Sequence, residues 1–395
     1  MRQLDKYLLY TSVLAIFTED ISFKYIIDWK LFYLILITNF AILAYKNEIK
    51  IHKNFIYFFL FLIIHGVLGF LIYQNSIVSL IAQILGIGIS SIFYFNVVKK
   101  FGVKLLTKIY LQFAYFFAIL SLIMFYFNIN TFSKYRLNGI MSEPAHYAAI
   151  MLPAVFLCFV EKKYLKFIII LVTIFLTQSS VGFIGLFLIL IIPILKVKYF
   201  LKYSIVVFLI AIASFFYLKS KWNEPIDENR SNKVVRRLKE THETFSSFIT
   251  GKFNNNVNLS SYAFISNAFV TKSVLIDKPL GTGLGAYKHE YDKYYKYLKP
   301  PSYLTTSLRK INRTDANSLF LRILSDFGLF AIVIFFIFIY KSILIFRNDS
   351  KKIQQSTFFY LVVKLIREGH YFPPEFYFFL LIFFNNTDDE NITHS

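Results

Sequence analysis

"NFIYFFLFLIIHGVLGFLIY" occupies residues 54–73. It contains no Asp, Glu, Lys or Arg, and its one imidazole, His65, lies near the middle. About 20 apolar residues, rising roughly 1.5 Å each as a helix, cross the ~30 Å hydrocarbon layer of a bilayer. A membrane β-strand is excluded, because polar and apolar residues do not alternate. A soluble core explains one or two such runs, but this chain repeats the pattern from end to end.

Apolar runs lie at 7–20, 31–45, 54–73, 77–98, 105–127, 145–160, 165–178, 180–195, 201–218, 318–340, 357–366 and 375–385. The second, the seventh and the last two are short for full crossings. The expectation is an all-α, polytopic membrane helical bundle of about twelve transmembrane helices, ten to twelve in all, with one large outer loop. Composition agrees. The chain is 56% hydrophobic, 20% aromatic and 17% charged, against about 25% charged in an ordinary soluble domain. His65, in mid-span, reads as a hydrogen-bonded core residue. The only cysteine, Cys158, falls inside an apolar run, so neither an internal disulfide nor a cysteine-based metal site is expected. The first run lacks a small-residue cleavage site and reads as an ordinary span rather than a signal peptide.

The formal charge of +20 would suit nucleic acid, but the lysines cluster between hydrophobic runs, where membrane orientation explains them. With the amino terminus in the cytoplasm, the inside loops are "KNEIKIHKN" (46–54), "KKFGVK" (99–104), "EKKYLK" (161–166), "KVKYFLK" (196–202) and "KSILIFRNDSKK" (341–352), all basic. The outside loops are poorer in Lys and Arg, as the charge rule requires of short loops. This gives an amino-terminal bundle (1–218), a large polar outer loop (219–317) and carboxy-terminal helices (318–395). Within the loop, residues 233–249 carry apolar side chains at helical spacing, expected either on the membrane surface or packed on the loop itself. "NNNVNLSS" (254–261) reads as a connector. "KPLGTGLGAY" (278–287) lacks the strand-turn-helix setting of a nucleotide fingerprint and is expected to make tight turns. The acidic "TDDE" (387–390) reads as a solvated tail.

Polar groups able to do chemistry gather on the outer side. They are Arg136 and Glu143 in "RLNGIMSEPAHYAAI", Asp315 and Asn317 in "RTDANSLFLRILSDFG", and Arg367 and His370 in "REGHYFPP". Arginine presents an always-charged planar fork suited to pyrophosphate. Glutamate or histidine can take a proton from an attacking hydroxyl, and an amide can hold a sugar hydroxyl. Each has a plainer alternative: Arg136 as a headgroup anchor, Glu143 as a favourable charge at a helix start, His370 as an interfacial polar group. Arg322 and Asp326, four apart near the outer end of their helix, form an intramembrane pair or a functional site. No phosphate-cradling lysine motif, nucleophile elbow or metal-ligand spacing occurs, so no metal or cofactor is expected.

The ordered set "RLNGIMSEPAHYAA", "LTQSSVGFIGL" (176–186), "DKPLGTGLGAY" (277–287), "DANSLFLRILSDFGLFAI" (315–332) and "VVKLIREGHYFPPEFYFFLL" (362–381) resembles the bacterial O-antigen and capsule repeat-unit polymerases of the Wzy type, within the wider O-antigen ligase superfamily. The resemblance implies a glycosyltransferase of the bacterial inner membrane, multi-pass, with its site facing the periplasm. Its partners would be an undecaprenyl-pyrophosphate-linked glycan, membrane lipid and a chain-length regulator, without nucleic acid. Glycan would pass from its lipid pyrophosphate to an incoming repeat unit. On that reading Arg136 and Arg367 meet the pyrophosphate, Glu143 or His370 is the base, and Asn317, Asp315 and Arg322 position substrate. Outer-loop arginines and a histidine near the end of the large loop are implicated in the family. Here the loop ends in Asp315-Ala316-Asn317, a departure that favours polymerase over ligase. The alternatives are an O-antigen ligase acting on lipid A-core and a lipid-linked oligosaccharide flippase. A flippase would have small outer loops and charges at mid-membrane.

Overall fold

The computed structural model describes residues 2–18, 21–25, 27–130, 132, 134–192 and 246–385. The expected span at 201–218, most of the helix expected at 233–249 and the acidic tail lie outside the described residues, although 246–250 are helical. Among the described residues up to 192, the α-helices are α1 (Gln3–Leu14), α2 (Leu31–Tyr45), α3 (Lys53–Tyr73), α4 (Ile77–Phe101), α5 (Val103–Tyr126), α6 (Pro144–Val160), α7 (Tyr164–Thr177) and α8 (Ser180–Ile191). After them come α9 (Leu259–Asp277), α10 (Tyr287–Tyr294), α11 (Leu319–Phe327), α12 (Phe330–Arg347), α13 (Lys352–Ile366) and α14 (Phe376–Phe384). One short antiparallel hairpin, Ser22–Tyr25 with Ile27–Lys30, joins α1 to α2. The protein is an integral membrane, helical bundle. Helices α3, α4, α5, α9 and α12 are long and apolar enough to cross a membrane, and α2, α6, α7 and α8 are shorter apolar helices.

The bundle has two chemically distinct ends. At one, the start of α1 meets the ends of α2 and α4: Asp5 pairs with Lys46 and, at 3.0 Å, with Lys100, which also reaches Glu48 at 2.6 Å. Asn96 holds the backbone of Lys50 beside them, accepting at 2.7 Å and donating at 3.1 Å. At the other end, Arg136 Nε donates to Thr177 O at 3.1 Å, and the backbone of Glu368 donates to Asn317 O at 2.9 Å. Loops assigned to one side by charge thus bind one another.

The expected span 318–340 is not one helix. Gly328, at φ +56°, separates α11 from α12, and hydropathy could not register this because the residues on both sides are apolar. A broken helix at membrane depth must have its freed backbone groups satisfied by protein. The glycine-rich segment supplies them: Thr282 N donates to Ser325 O at 3.1 Å, Gly283 N to Asp326 O at 3.0 Å, and Leu329 N to Pro279 O at 2.8 Å. The tight turns expected there exist, with Gly281, Gly283 and Gly285 at φ +84°, +93° and +83°. They are sunk against α3, however, because His65 Nε2 bonds Leu280 O at 2.9 Å, about 12 Å along α3 from its Tyr73 end at ~1.5 Å per residue. A Cβ on Gly328 would lie 2.1 Å from Pro279 O. Gly328→Ala adds that overlap to a positive-φ backbone that L side chains rarely adopt, so a lower melting temperature in detergent is expected, with little folded protein recovered.

The stretch read as a connector is turn and loop over 254–258, and its last three residues begin α9, with Asn258 capping Ser261 N at 2.9 Å. Helix α9 packs on α11 and shares a second apolar core with α10 through Tyr262, Phe269, Val270, Tyr287 and Tyr291. Lys278 fastens this core to the bundle, pairing with buried Glu290 at 2.6 Å and lying 4.1 Å over the ring of Tyr73.

Candidate functional site

Four separate segments enclose a cavity of about 200 Å³ at the end of the bundle away from the Asp5–Lys100 network. The start of α6 gives Glu143 and His146, and the start of α9 gives Ser260. The loop before α11 gives Asp315 and Asn317, and the turn after α13 gives Arg367, Glu368 and His370. Five residues singled out in the sequence therefore share one cavity: Glu143, Asp315, Asn317, Arg367 and His370.

Local sequence explains each position. Pro144 begins α6, as a residue without an N–H does at no loss. Glu143 precedes it in extended backbone and makes no capping bond, so capping does not account for its side chain. Its carboxylate is exposed at the cavity and, among the described residues, has no hydrogen-bond or ion-pair partner. The guanidinium of Arg367 likewise has none among the described residues. Both side chains line the same cavity, where they are open to a ligand.

The loop before α11 turns through Ala316 and Asn317 at φ +63° and +58°. Non-glycine residues held there cost energy and collect at functional sites. Asp315 Oδ1 accepts from Asn317 N at 3.1 Å, and Asn312 Nδ2 donates to Asn317 Oδ1 at 3.1 Å. Asn317 is 1% exposed, and among the described residues its Nδ2 has no acceptor, leaving the desolvation of this donor uncompensated there.

The turn after α13 is fixed from below. Arg322 Nη1 donates to Gly369 O at 2.9 Å and its guanidinium lies 4.5 Å from the Tyr371 ring centroid. Ser318 Oγ donates to Leu365 O at 2.7 Å, and Tyr371 donates to Asp326 Oδ2 at 2.9 Å. Glu368, at φ +81°, pairs with the buried Lys364 and stands 3.8 Å from His146 Nε2. Burial alone would raise the Glu368 pKa, but the charge of Lys364, then His146, a hydrogen bond from Lys364 and His370 outweigh it and hold it at about 2. His370 Nε2 lies 3.4 Å from Asp315 Oδ2, with 58% of its side chain exposed. The protein packed about its ring lowers its pKa, against the pull of Asp315 and Glu368.

Two expected residues are elsewhere. Arg136 does not line the cavity: it binds the carbonyls of Thr177 and Gln178 at 3.1 and 3.5 Å, and sits 5.4 Å over Phe132. Arg322, 3% exposed, lies beneath the cavity wall as a clamp. His146, Glu368 and Lys364 were not singled out in the sequence. Among the described residues no group of three or more His, Cys, Asp or Glu is placed to hold a metal ion.

The family model described as O-antigen ligase matches residues 165–336, the stretch that carries α9, the glycine turns, the strained Asp315–Asn317 loop and α11. No curated protein matches the chain, and no solved structure does. Over 165–336 the chain is similar to the O-antigen ligase family, and with its series of apolar helices this supports an integral membrane protein that processes lipid-linked glycans.

Proposed function

We propose that the protein polymerises undecaprenyl-pyrophosphate-linked oligosaccharide repeat units into O-antigen or capsular polysaccharide at the periplasmic face of the inner membrane. The observation that carries this reading is the Arg367 guanidinium, without a partner among the described residues, set in one small cavity with the Asn317 donor and the Glu143 and His370 side chains. Outside the membrane there is no nucleotide pool, so activation travels with the donor lipid. A fixed positive charge aimed at the leaving pyrophosphate stabilises the charge that develops as the glycosidic bond breaks. Glu143 and His370, at the cavity mouth, are positioned toward an acceptor hydroxyl, and Asn317 toward the oxygens of the donor. The second core, around α9 and α10, would seat the sugars. A chain-length regulator is a further partner of this reading.

Deleting the gene is expected to leave lipopolysaccharide or capsule lipid carrying a single repeat unit, with the ladder of longer chains restored by the wild-type gene. Loss of even the single unit would identify ligation to lipid A-core instead. Accumulation of repeat units on the cytoplasmic leaflet would identify a flippase.

A further inference from the structure

Helix α9 is apolar and long enough to cross a membrane, yet both of its ends lie at the cavity end of the bundle. Helix α3 starts three residues after Lys50, which Asn96 holds beside the Asp5–Lys100 network, so its last residue, Tyr73, is on the opposite side. Helix α9 begins at the cavity with Leu259 and Ser260 and finishes at Asp277. The next residue, Lys278, lies 4.1 Å over the Tyr73 ring. The apolar residues of α9 are taken up by the second core, where Tyr262, Phe269, Val270 and Val274 are buried. The helix thus lies across the end of the bundle, along the membrane surface and not through it.

Where α9 ends, the surface changes in character by steps. Ile276 is 70% exposed and Leu280 58%. Leu280 is held to α3 through His65, and Leu68 and Ile72, on the same face of α3 as His65, are exposed as well. Tyr294 donates to the carboxylate of Asp277, beside Ile276. Its ring lies 6.4 Å from that of Tyr297, which is 56% exposed. Lys293 Nζ is 5.4 Å from the Tyr294 centroid and Lys296 Nζ 5.0 Å from the Tyr297 centroid. Neither lysine is in an ion pair among the described residues. Of the acids on α10, Glu290 is buried against Lys278 and Asp292 pairs with Lys310 at 3.0 Å, so the ledge presents positive charge. Apolar side chains, tyrosines and ammonium groups follow one another away from the lipid-facing side of α3, in the order in which a leaflet presents acyl chains, interface and phosphate. Independently of the reaction proposed above, we infer that Lys293, Lys296 and Tyr297 form a ledge that binds the headgroups of anionic phospholipid in the leaflet on the cavity side, with Ile276 and Leu280 seated in its acyl chains. A zwitterionic headgroup carries its own cation and gains less there. Docking at this ledge sets α9, and with it the Ser260 side of the cavity, at the depth where lipid phosphates lie.

The test uses full-length protein in nanodiscs of mixed phosphatidylglycerol and phosphatidylcholine, with bromines high in the acyl chains of one lipid or of the other. Tyr297→Trp places a fluorophore on the ledge, and the parent protein, with its two tryptophans, gives the background. The added emission is expected to be quenched by either brominated lipid and more strongly when phosphatidylglycerol carries the bromine, because each lysine near an anionic headgroup enriches it up to about fivefold. That excess should fall with added salt and disappear in Lys293→Gln/Lys296→Gln, whose exposed substitutions leave the cores intact. Equal quenching by the two lipids, or an excess that survives the double substitution, would overturn the headgroup assignment. No quenching by either lipid would show that the ledge stands clear of the bilayer. An emission change on adding a soluble acidic polysaccharide would then give its lysines to glycan instead.

Discussion

Arg367→Ala is expected to erase the polysaccharide ladder, whereas Arg136→Ala should retain most of it. The two arginines looked equivalent as residues of short outer loops, yet their surroundings differ. Arg367 lines the cavity with no partner among the described residues. The donors of Arg136 are directed at two carbonyls at the end of α7. Removing a positioned donor to a developing oxyanion lowers turnover by about 10²–10³-fold, and a pyrophosphate leaving group carries more charge than one oxyanion. Losing Arg136 removes hydrogen bonds to the carbonyls of Thr177 and Gln178, each worth about 0.5–1.5 kcal/mol, from stability rather than from the chemical step. Arg367→Lys separates charge from shape. Keeping the charge without the bidentate fork should recover only a fraction of the activity. The measurement is ladder length and single-turnover rate at matched protein levels, and equal losses in the two alanine variants would refute the distinction.

Much of the fold could be read from the chain because the bilayer imposes length and composition together. The run at 54–73 became α3 within one residue of each end, and 77–98 and 105–127 lie within α4 and α5 to a few residues. What could not be read was backbone conformation. Gly328 breaks a mostly apolar run that also holds Arg322 and Asp326, and no hydropathy average carries a φ angle. Helix α9 was hidden by dilution: its serines, Asn267 and Lys272 lower the apolar average, although Asn258 followed by apolar residues at 262, 265 and 269 was a readable helix start. At the site, the sequence picked out Glu143, Asp315, Asn317, Arg367 and His370 and passed over His146, Lys364 and Glu368. His146 lies three residues after Glu143, on the first turn of α6, and Lys364 and Glu368 are four apart at the end of α13. Both spacings put side chains on one face. The signal was present, but no single-sequence argument could say that those two faces meet.

Gly369→Ala should inactivate the protein while leaving it folded, because the site depends on how closely two loops approach. A Cβ on Gly369 would stand 1.4 Å from the carbonyl oxygen of Asp315 and 3.3 Å from that of Ser318. The obstacle is backbone, so no side-chain rotation relieves it; the 367–370 turn or the 315–318 loop must move by more than an ångström. Each is tied to the other through Glu368 N to Asn317 O and Arg322 to Gly369 O, so movement breaks bonds that fix Arg367 and His370 opposite Asp315 and Asn317. A 1 Å misplacement of catalytic groups is enough to cost about 10²-fold. The turn lies at the end of α13, outside the main apolar core, so the helices can still pack. The expected outcome is a lowered melting temperature with the helical bundle still assembled, a hundredfold or greater loss of turnover per folded molecule, and a pH profile whose shape differs from the wild type because His370 and Glu368 have left their partners. Wild-type activity in Gly369→Ala would mean that the Asp315–Asn317 loop and the Arg367–His370 turn do not act as one site, and the chemical reading built on their juxtaposition would fall with it.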